Sequence, residues 1–277
     1  MRAGEPAPMT PSPRLRGEGR GEGRVLPAAS RSLRLLASPV LWVAVLFFAL
    51  LVGMPGLRPV FHWAFPEVSP PVFARGSFFS LWLSHAGLVL VASLAAGFLG
   101  IGLAIFVTRP WGRDFRPIVS ALATVGQAFP PAAVLALAVP ALGFGPRPTI
   151  VALFLYGLLP IIDNAITGLE GVPAAVRDAA EGMGLSPWQL LSDVELPLAA
   201  PAIIAGVRVS VTIAIGTATI GSTVGALTLG TPIFDGLAAN KLPFVLQGAV
   251  LVALFAILTD MLFARLERRL RLPSAEA

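Results

Sequence analysis

Asp178, Ala179 and Ala180, then Gly184, then Val194, Leu196 and Pro197, stand in a polar stretch between long apolar segments. Elsewhere, few side chains inside the apolar segments could do polar chemistry. Gln127 stands beside Pro130 and Pro131. Thr212, Gly216, Thr219 and Thr223 recur along one segment, and Asp163, Arg208 and Asp260 are isolated charges. The chain has 0 Cys and 2 His, so disulfides, iron–sulfur clusters and thiol nucleophiles are excluded and a His-rich metal site is not expected. Its single lysine, Lys241, follows Ala239 and Asn240, so the GxxxxGK[ST] phosphate loop is absent. No metal, cofactor or catalytic residue is assigned, and the chain is not expected to hydrolyse ATP itself. The chemistry left to these residues is contact and passage.

What positions them is set by composition. Of 277 residues, 56% are hydrophobic and 13% are charged. Ordinary soluble domains carry roughly 25% charge. Six segments approach the roughly 20 apolar residues needed to cross a bilayer. They cover 37–53, 86–107, 118–142, 149–168, 202–226 and 244–264. The expected fold is all-α and polytopic, with about six transmembrane helices. Arg14, Arg16, Arg20, Arg24, Arg31 and Arg34 precede the first segment. Arg109, Arg113 and Arg116 follow the second, and Arg265, Arg268, Arg269 and Arg271 follow the last. By the positive-inside rule both termini are cytoplasmic. The net charge of +5 is then topological, and no nucleic acid is expected as a partner. Residues 1–32 are rich in Pro, Gly, Arg and Glu and are expected to be disordered. Their length and polarity argue against a signal peptide, so the first segment is expected to remain as an anchor. The membrane domain is expected over 33–265, with a cytoplasmic tail at 266–277.

The polar stretch at 169–199 reads as two short helices. Pro173 suits a helix start, and Gly184 can take the left-handed conformation that closes one. Ser186, Pro187 and Gln189 form a capping-box pattern for a second helix. That helix is expected to run towards Val194 and to stop at Leu196-Pro197.

In the fifth segment, Gly206, Ser210, Ala214, Ala218, Ser222 and Ala226 recur every fourth residue. Small residues at that spacing allow close helix approach within a bilayer. Thr212, Gly216, Thr219 and Thr223 lie on another side. Two readings are open for them: a wet solute pathway, or hydroxyls bonded to their own helix carbonyls against a neighbouring helix. Gln127 with its prolines either lines a path at a broken helix or marks a packing kink. Asp163 and Arg208 are a candidate pair, read as structural. His85 reads as a packed histidine. Trp42, Trp82 and Trp111 read as interfacial anchors, with no compact aromatic box.

The order Asp178-Ala179-Ala180, three residues, Gly184, nine residues, Val194, one residue, Leu196-Pro197 resembles the EAA loop of ABC-importer permeases. The family pattern is EAA-x3-G-x9-I-x-LP; Asp178 replaces Glu and Val194 replaces Ile. The likeness extends over roughly 80–265. It includes 124–131, 155–160, 205–208 and 216–219, and is closest to osmoprotectant permeases for glycine betaine, choline or carnitine. Residues 107–112 are similar to a low-affinity glycine betaine subgroup, while the turn at 225–230 departs from the usual Gly-rich form.

This resemblance implies a type I ABC-importer permease fold in the bacterial inner membrane. It implies that the loop docks on separate cytoplasmic ATPase subunits. An extracytoplasmic solute-binding protein and a second permease, a copy or a paralogue, complete the assembly. Any aromatic box for a quaternary ammonium solute is expected on that binding protein. Rival readings are the same role for an amino acid or sulfonate, an ion-gradient-driven carrier, and a membrane scaffold without transport activity.

Overall fold

The computed structural model describes residues 38–270. The expectation for residues 1–32 lies outside the described residues, as does most of the 266–277 tail. Among the described residues the structure is helical, with no strand.

The first span joins α1 (Pro39–Gly53), a tight turn and α2 (Arg58–Ala64). A loop leads to α3 (Phe78–Thr108), which starts where the Ser77 hydroxyl accepts the Ser80 N–H at 3.1 Å. Then follow α4 (Arg116–Ala128), α5 (Pro131–Leu142) and α6 (Pro146–Glu170). Helix α7 covers Ala174–Gly182, and α8 runs without interruption over Pro187–Ala218. A turn at Ile220–Val224 leads to α9 (Thr231–Ala238) and α10 (Leu242–Leu270).

Among the described residues, five helices are long and apolar enough to cross a membrane, and up to six if the bent α4–α5 pair is one span. That pair turns through 94° where the third span was expected to break. The reason is Pro130-Pro131: neither can donate to a preceding carbonyl, and Pro131 begins the next helix. The second, fourth and last spans exceed their expected limits, and the first runs on from 53 to Ala64. The helix of the fifth ends at Ala218 rather than 226, because the chain tightens into the turn Ile220–Val224 and closes on Gly225 at φ +87°, leaving Thr219 and Thr223 beyond it. The second starts at Phe78 rather than 86, and the last runs through 265 to Leu270.

Helix α6 packs against α3, α4, α5 and α8, and is the most buried of the spans. Its approach to α8 depends on missing side chains. A Cβ at Gly168 would lie 2.9 Å from Ala202 Cβ, and one at Gly206 would lie 2.7 Å from the Pro160 oxygen. Ser210 is buried against Gly157, and Gly221 lies against Thr149. The small-residue ridge of α8 is therefore a packing face.

A second core joins α1, α3 and α10 through Phe47, Leu51, Phe78, Leu81, Leu251 and Leu258. Trp82 belongs to this core. Its ring meets Phe47, Phe48, Phe79 and Phe255 with centroids 5.5–6.2 Å apart. The sequence reading expected Trp82 to stand as an interfacial anchor; its ring instead packs into this core, mostly edge-to-face.

Candidate functional site

The polar loop folds as two helices joined by a glycine turn. Helix α7 ends in a Schellman motif. Gly184, at φ +84°, donates to the Glu181 oxygen at 2.9 Å, and Leu185 donates to the Ala180 oxygen at 3.2 Å. Gly184 is where the chain requires a left-handed backbone. The capping box forms as the sequence suggested. The Ser186 hydroxyl accepts the Gln189 N–H at 3.3 Å, and Gln189 Oε1 accepts the Ser186 N–H at 2.9 Å.

The second helix departs from expectation: it does not stop at Leu196-Pro197. Leu190–Glu195 form a π turn in which the Leu196 N–H bonds to the Leu191 oxygen, five residues back. The wider turn absorbs Pro197, which has no N–H to give and sits in the first turn of the next helical segment. The loop's second helix and the fifth span are therefore one rod, and this span starts at Pro187 rather than 202.

The structure brings the loop residues together on one knob. Asp178, Ala179, Gly184 and Pro197 are exposed, Val194 and Leu196 are half-buried, and Ala180 is buried. At the tip stand Met183 and Trp188, 75% and 72% exposed, which the sequence reading did not single out. Both present apolar side chains to the surroundings at the end of an otherwise polar knob.

Behind the knob is a charge cluster that was also missed. Glu195 is 3% exposed. Its Oε2 accepts from Arg109 Nη2 at 2.6 Å, and its Oε1 lies 3.4 Å from Arg177 Nε. Arg177 Nη2 donates to the Leu169 and Glu170 carbonyls at 2.9 and 3.3 Å, at the end of α6. Arg116 pairs with Glu170. Arg109, Glu170, Arg177 and Glu195 line a cavity of about 670 Å³ together with Trp111, Arg113 and Leu185. The signal available in the sequence was the Arg-rich turn after α3, which the positive-inside rule had already explained.

The threonines of α8 and of the turn after it satisfy themselves. The hydroxyls of Thr212, Thr219 and Thr223 donate to the carbonyls of Arg208, Gly216 and Ile220 at 2.7–2.9 Å. Gly216 and Thr223 are nonetheless exposed, and nothing lies within 4 Å of a Cβ placed at Gly216. Gln127 is not part of that face. Its Nε2 donates to the Tyr156 carbonyl at 2.7 Å.

The candidate pair Asp163–Arg208 does not form. Arg208 instead grips both oxygens of Asp260, at 2.6 and 2.8 Å, and reaches Glu267 at 3.5 Å. Asp163 sits on an exposed side of α6, while Arg208 faces α10. His85 is fully buried: Nε2 lies 3.1 Å from the Ile215 oxygen, and Nδ1 accepts the Leu229 N–H at 3.3 Å. The ring is thus the Nε2–H tautomer, and it ties α3 to α8 and the following turn. Gln247 was missed. Its amide bonds Phe73 N at 3.0 Å and the Pro71 oxygen at 2.8 Å, holding the first interhelical loop to α10. A lone glutamine in an apolar span was the available signal.

Comparison with known proteins gives this geometry a context. Residues 98–272 match the family described as "binding-protein-dependent transport system inner membrane component". The chain is 42% identical over 186 residues to the osmoprotectant import permease OsmY of Salmonella typhimurium, covering 67% of this chain and 79% of that one. It is 37% identical to the choline transport system permease OpuBB of Bacillus subtilis, covering 67% and 85%. The carnitine transport permease OpuCB of Listeria monocytogenes is 39% identical, covering 65% and 84%. In fold, the chain is similar to inward-facing structures of the MetNI methionine ABC transporter. The TM-score is 0.62 at 21% identity, over 69% of this chain and 94% of that chain. The described architecture and these matches place the chain plainly: it is a multi-pass membrane protein that belongs to the binding-protein-dependent permease family of ABC importers.

Proposed function

We propose that this permease forms the membrane passage of an ATP-driven importer for osmoprotectants of the glycine betaine, choline and carnitine class. ATP hydrolysis takes place on separate cytoplasmic ATPase subunits, which grip the knob through the exposed Asp178, Ala179 and Gly184, while buried Ala180 holds the turn beneath them. A solute-binding protein delivers substrate from outside, and a second permease, a copy or a paralogue, completes the passage. Both termini and the knob face the cytoplasm of a bacterial cell, as the basic residues Arg109, Arg113 and Arg116 after α3 and Arg265, Arg268 and Arg269 at the end of α10 support. The open side of α8 around Gly216, with Thr219 and Thr223 just beyond its end, lines the passage, and Gln127 of α4 borders it separately.

The observation that carries this reading is the knob itself: a capped, glycine-turned helix pair with Met183 and Trp188 exposed at its tip and its base fused to a membrane span. The substrate class rests on the relatives' own names. The test is reconstitution in proteoliposomes with the cognate ATPase and binding protein. ATP should drive uptake of glycine betaine, and uptake should vanish when the ATPase is omitted. Uptake unaffected by omitting ATP and the ATPase would overturn the reading. Binding-protein selectivity for an amino acid or sulfonate over betaine would overturn the substrate class alone.

A further inference from the structure

Glu195 is the only buried carboxylate among the described residues. Burying such a group is unfavourable unless it is paired and hydrogen-bonded. Its two oxygens meet guanidiniums from two different elements. Arg109 follows the last residue of α3, and Arg177 belongs to α7. Arg177 in turn caps the carbonyl end of α6. The carboxylate lies in the π turn that fuses the knob to α8. Four helices therefore converge on one side chain: α3, α6 through Arg177, α7 and α8.

Resting on the ATPase-coupling role proposed above, we infer that Glu195 is the positioning residue that locks the knob to the end of α3, so that a displacement of the knob carries both spans together. The other ion pairs around the loops are poorer candidates for this work. Arg116–Glu170 has both side chains 45% exposed, and Arg75 in Arg75–Asp235 is 79% exposed. Exposed pairs are screened by water and salt and hold geometry weakly. A desolvated carboxylate between two guanidiniums is screened far less and fixes direction as well as distance. π turns are themselves frequent at functional positions.

The experiment uses the complete transporter in proteoliposomes. The chain has 0 native Cys, so it can be spin-labelled at Asp114→Cys and Ala175→Cys alone, before assembly with the other subunits. These exposed positions report the turn after α3 and the base of α7. With Glu195 present, the distance between labels should be the same with and without bound nucleotide. With Glu195→Gln it should broaden or become nucleotide-dependent. In unlabelled transporter, ATP hydrolysis should persist while solute taken up per ATP falls at least tenfold. Should Glu195→Gln fail to assemble, Arg109→Gln removes one arm and is read in the same two ways. A nucleotide-dependent distance with Glu195 intact, or an unchanged uptake per ATP in an assembled variant, would overturn the lock. Absence of ATP-driven uptake in the parent would overturn the coupling reading itself.

Discussion

Gln127 donates its side-chain amide to the backbone carbonyl of Tyr156 at 2.7 Å. That carbonyl lies four residues before Pro160, which has no N–H to return to it. One proline-disrupted helix position is thus satisfied from a neighbouring helix that a proline pair also breaks. Satisfying such freed groups is what permits proline within a membrane span.

Gln127→Leu should therefore lower stability by about 1–3 kcal/mol, since it leaves a carbonyl unpaired. In Pro160→Ala the helix supplies its own N–H, and the same change should cost much less. A double-mutant cycle on unfolding in mixed micelles measures this. Equal costs in both backgrounds would contradict the pairing.

The contrast between Gln127 and Pro197 shows what sequence could and could not give. Ser186, Gln189 and Gly184 were legible because caps and left-handed turns are made by residues a few positions apart. The break at Pro130-Pro131 was legible for the same local reason. Pro197 was misread because its local rule, that proline stops a helix, was overridden by a π turn held from outside by Arg109 and Arg177. Arg208 was given the wrong partner because Asp163 and Asp260 both lie on adjacent spans, and only the rotation of α6 and α10 selects between them. Glu195 was invisible as a site because its partners are 86 and 18 residues away in sequence.

Packing along α6 and α8 predicts opposite outcomes for two glycines of one helix. Gly206→Ala would place a Cβ 2.7 Å from both Asn164 Cβ and the Pro160 oxygen. It should destabilise the permease by about 1–3 kcal/mol. Gly216→Ala meets nothing within 4 Å and should stabilise the purified chain by about 0.5–1 kcal/mol, through helix propensity alone. Unfolding in detergent compares the two. Similar effects would mean that the ridge and the open side are not distinct.

Arg208 and Asp260 should be coupled, and Arg208 and Asp163 should not. Both side chains of the first pair are about one-third exposed, at 31% and 38%, so solvent weakens the attraction. Even so, the two-point grip should give a coupling of about 0.5–1 kcal/mol between Arg208→Met and Asp260→Asn. The cycle with Asp163→Asn should give none. Thermal unfolding of the six proteins decides it, and coupling to Asp163 instead would refute the observed pairing.

The knob should be separable from the membrane fold. Gly184 holds φ +84°, and proline is fixed near −65°, so Gly184→Pro must break the Schellman turn. Ala180 is 2% exposed under that turn, so Ala180→Trp should displace α7. Neither position touches the α6–α8 ridge that holds the spans together. Both variants should therefore enter the membrane at near-parent levels. Gly184→Pro should unfold at nearly the parent temperature, and Ala180→Trp, which moves Arg177 away from buried Glu195, should unfold earlier. Their ATP-driven uptake should fall by at least tenfold, and the ATPase should no longer co-purify. Met183→Ser with Trp188→Ser removes the exposed tip while leaving the capping box intact, and should reproduce the loss of co-purification. Co-purification and uptake at parent levels in all three variants would remove the knob from the coupling role.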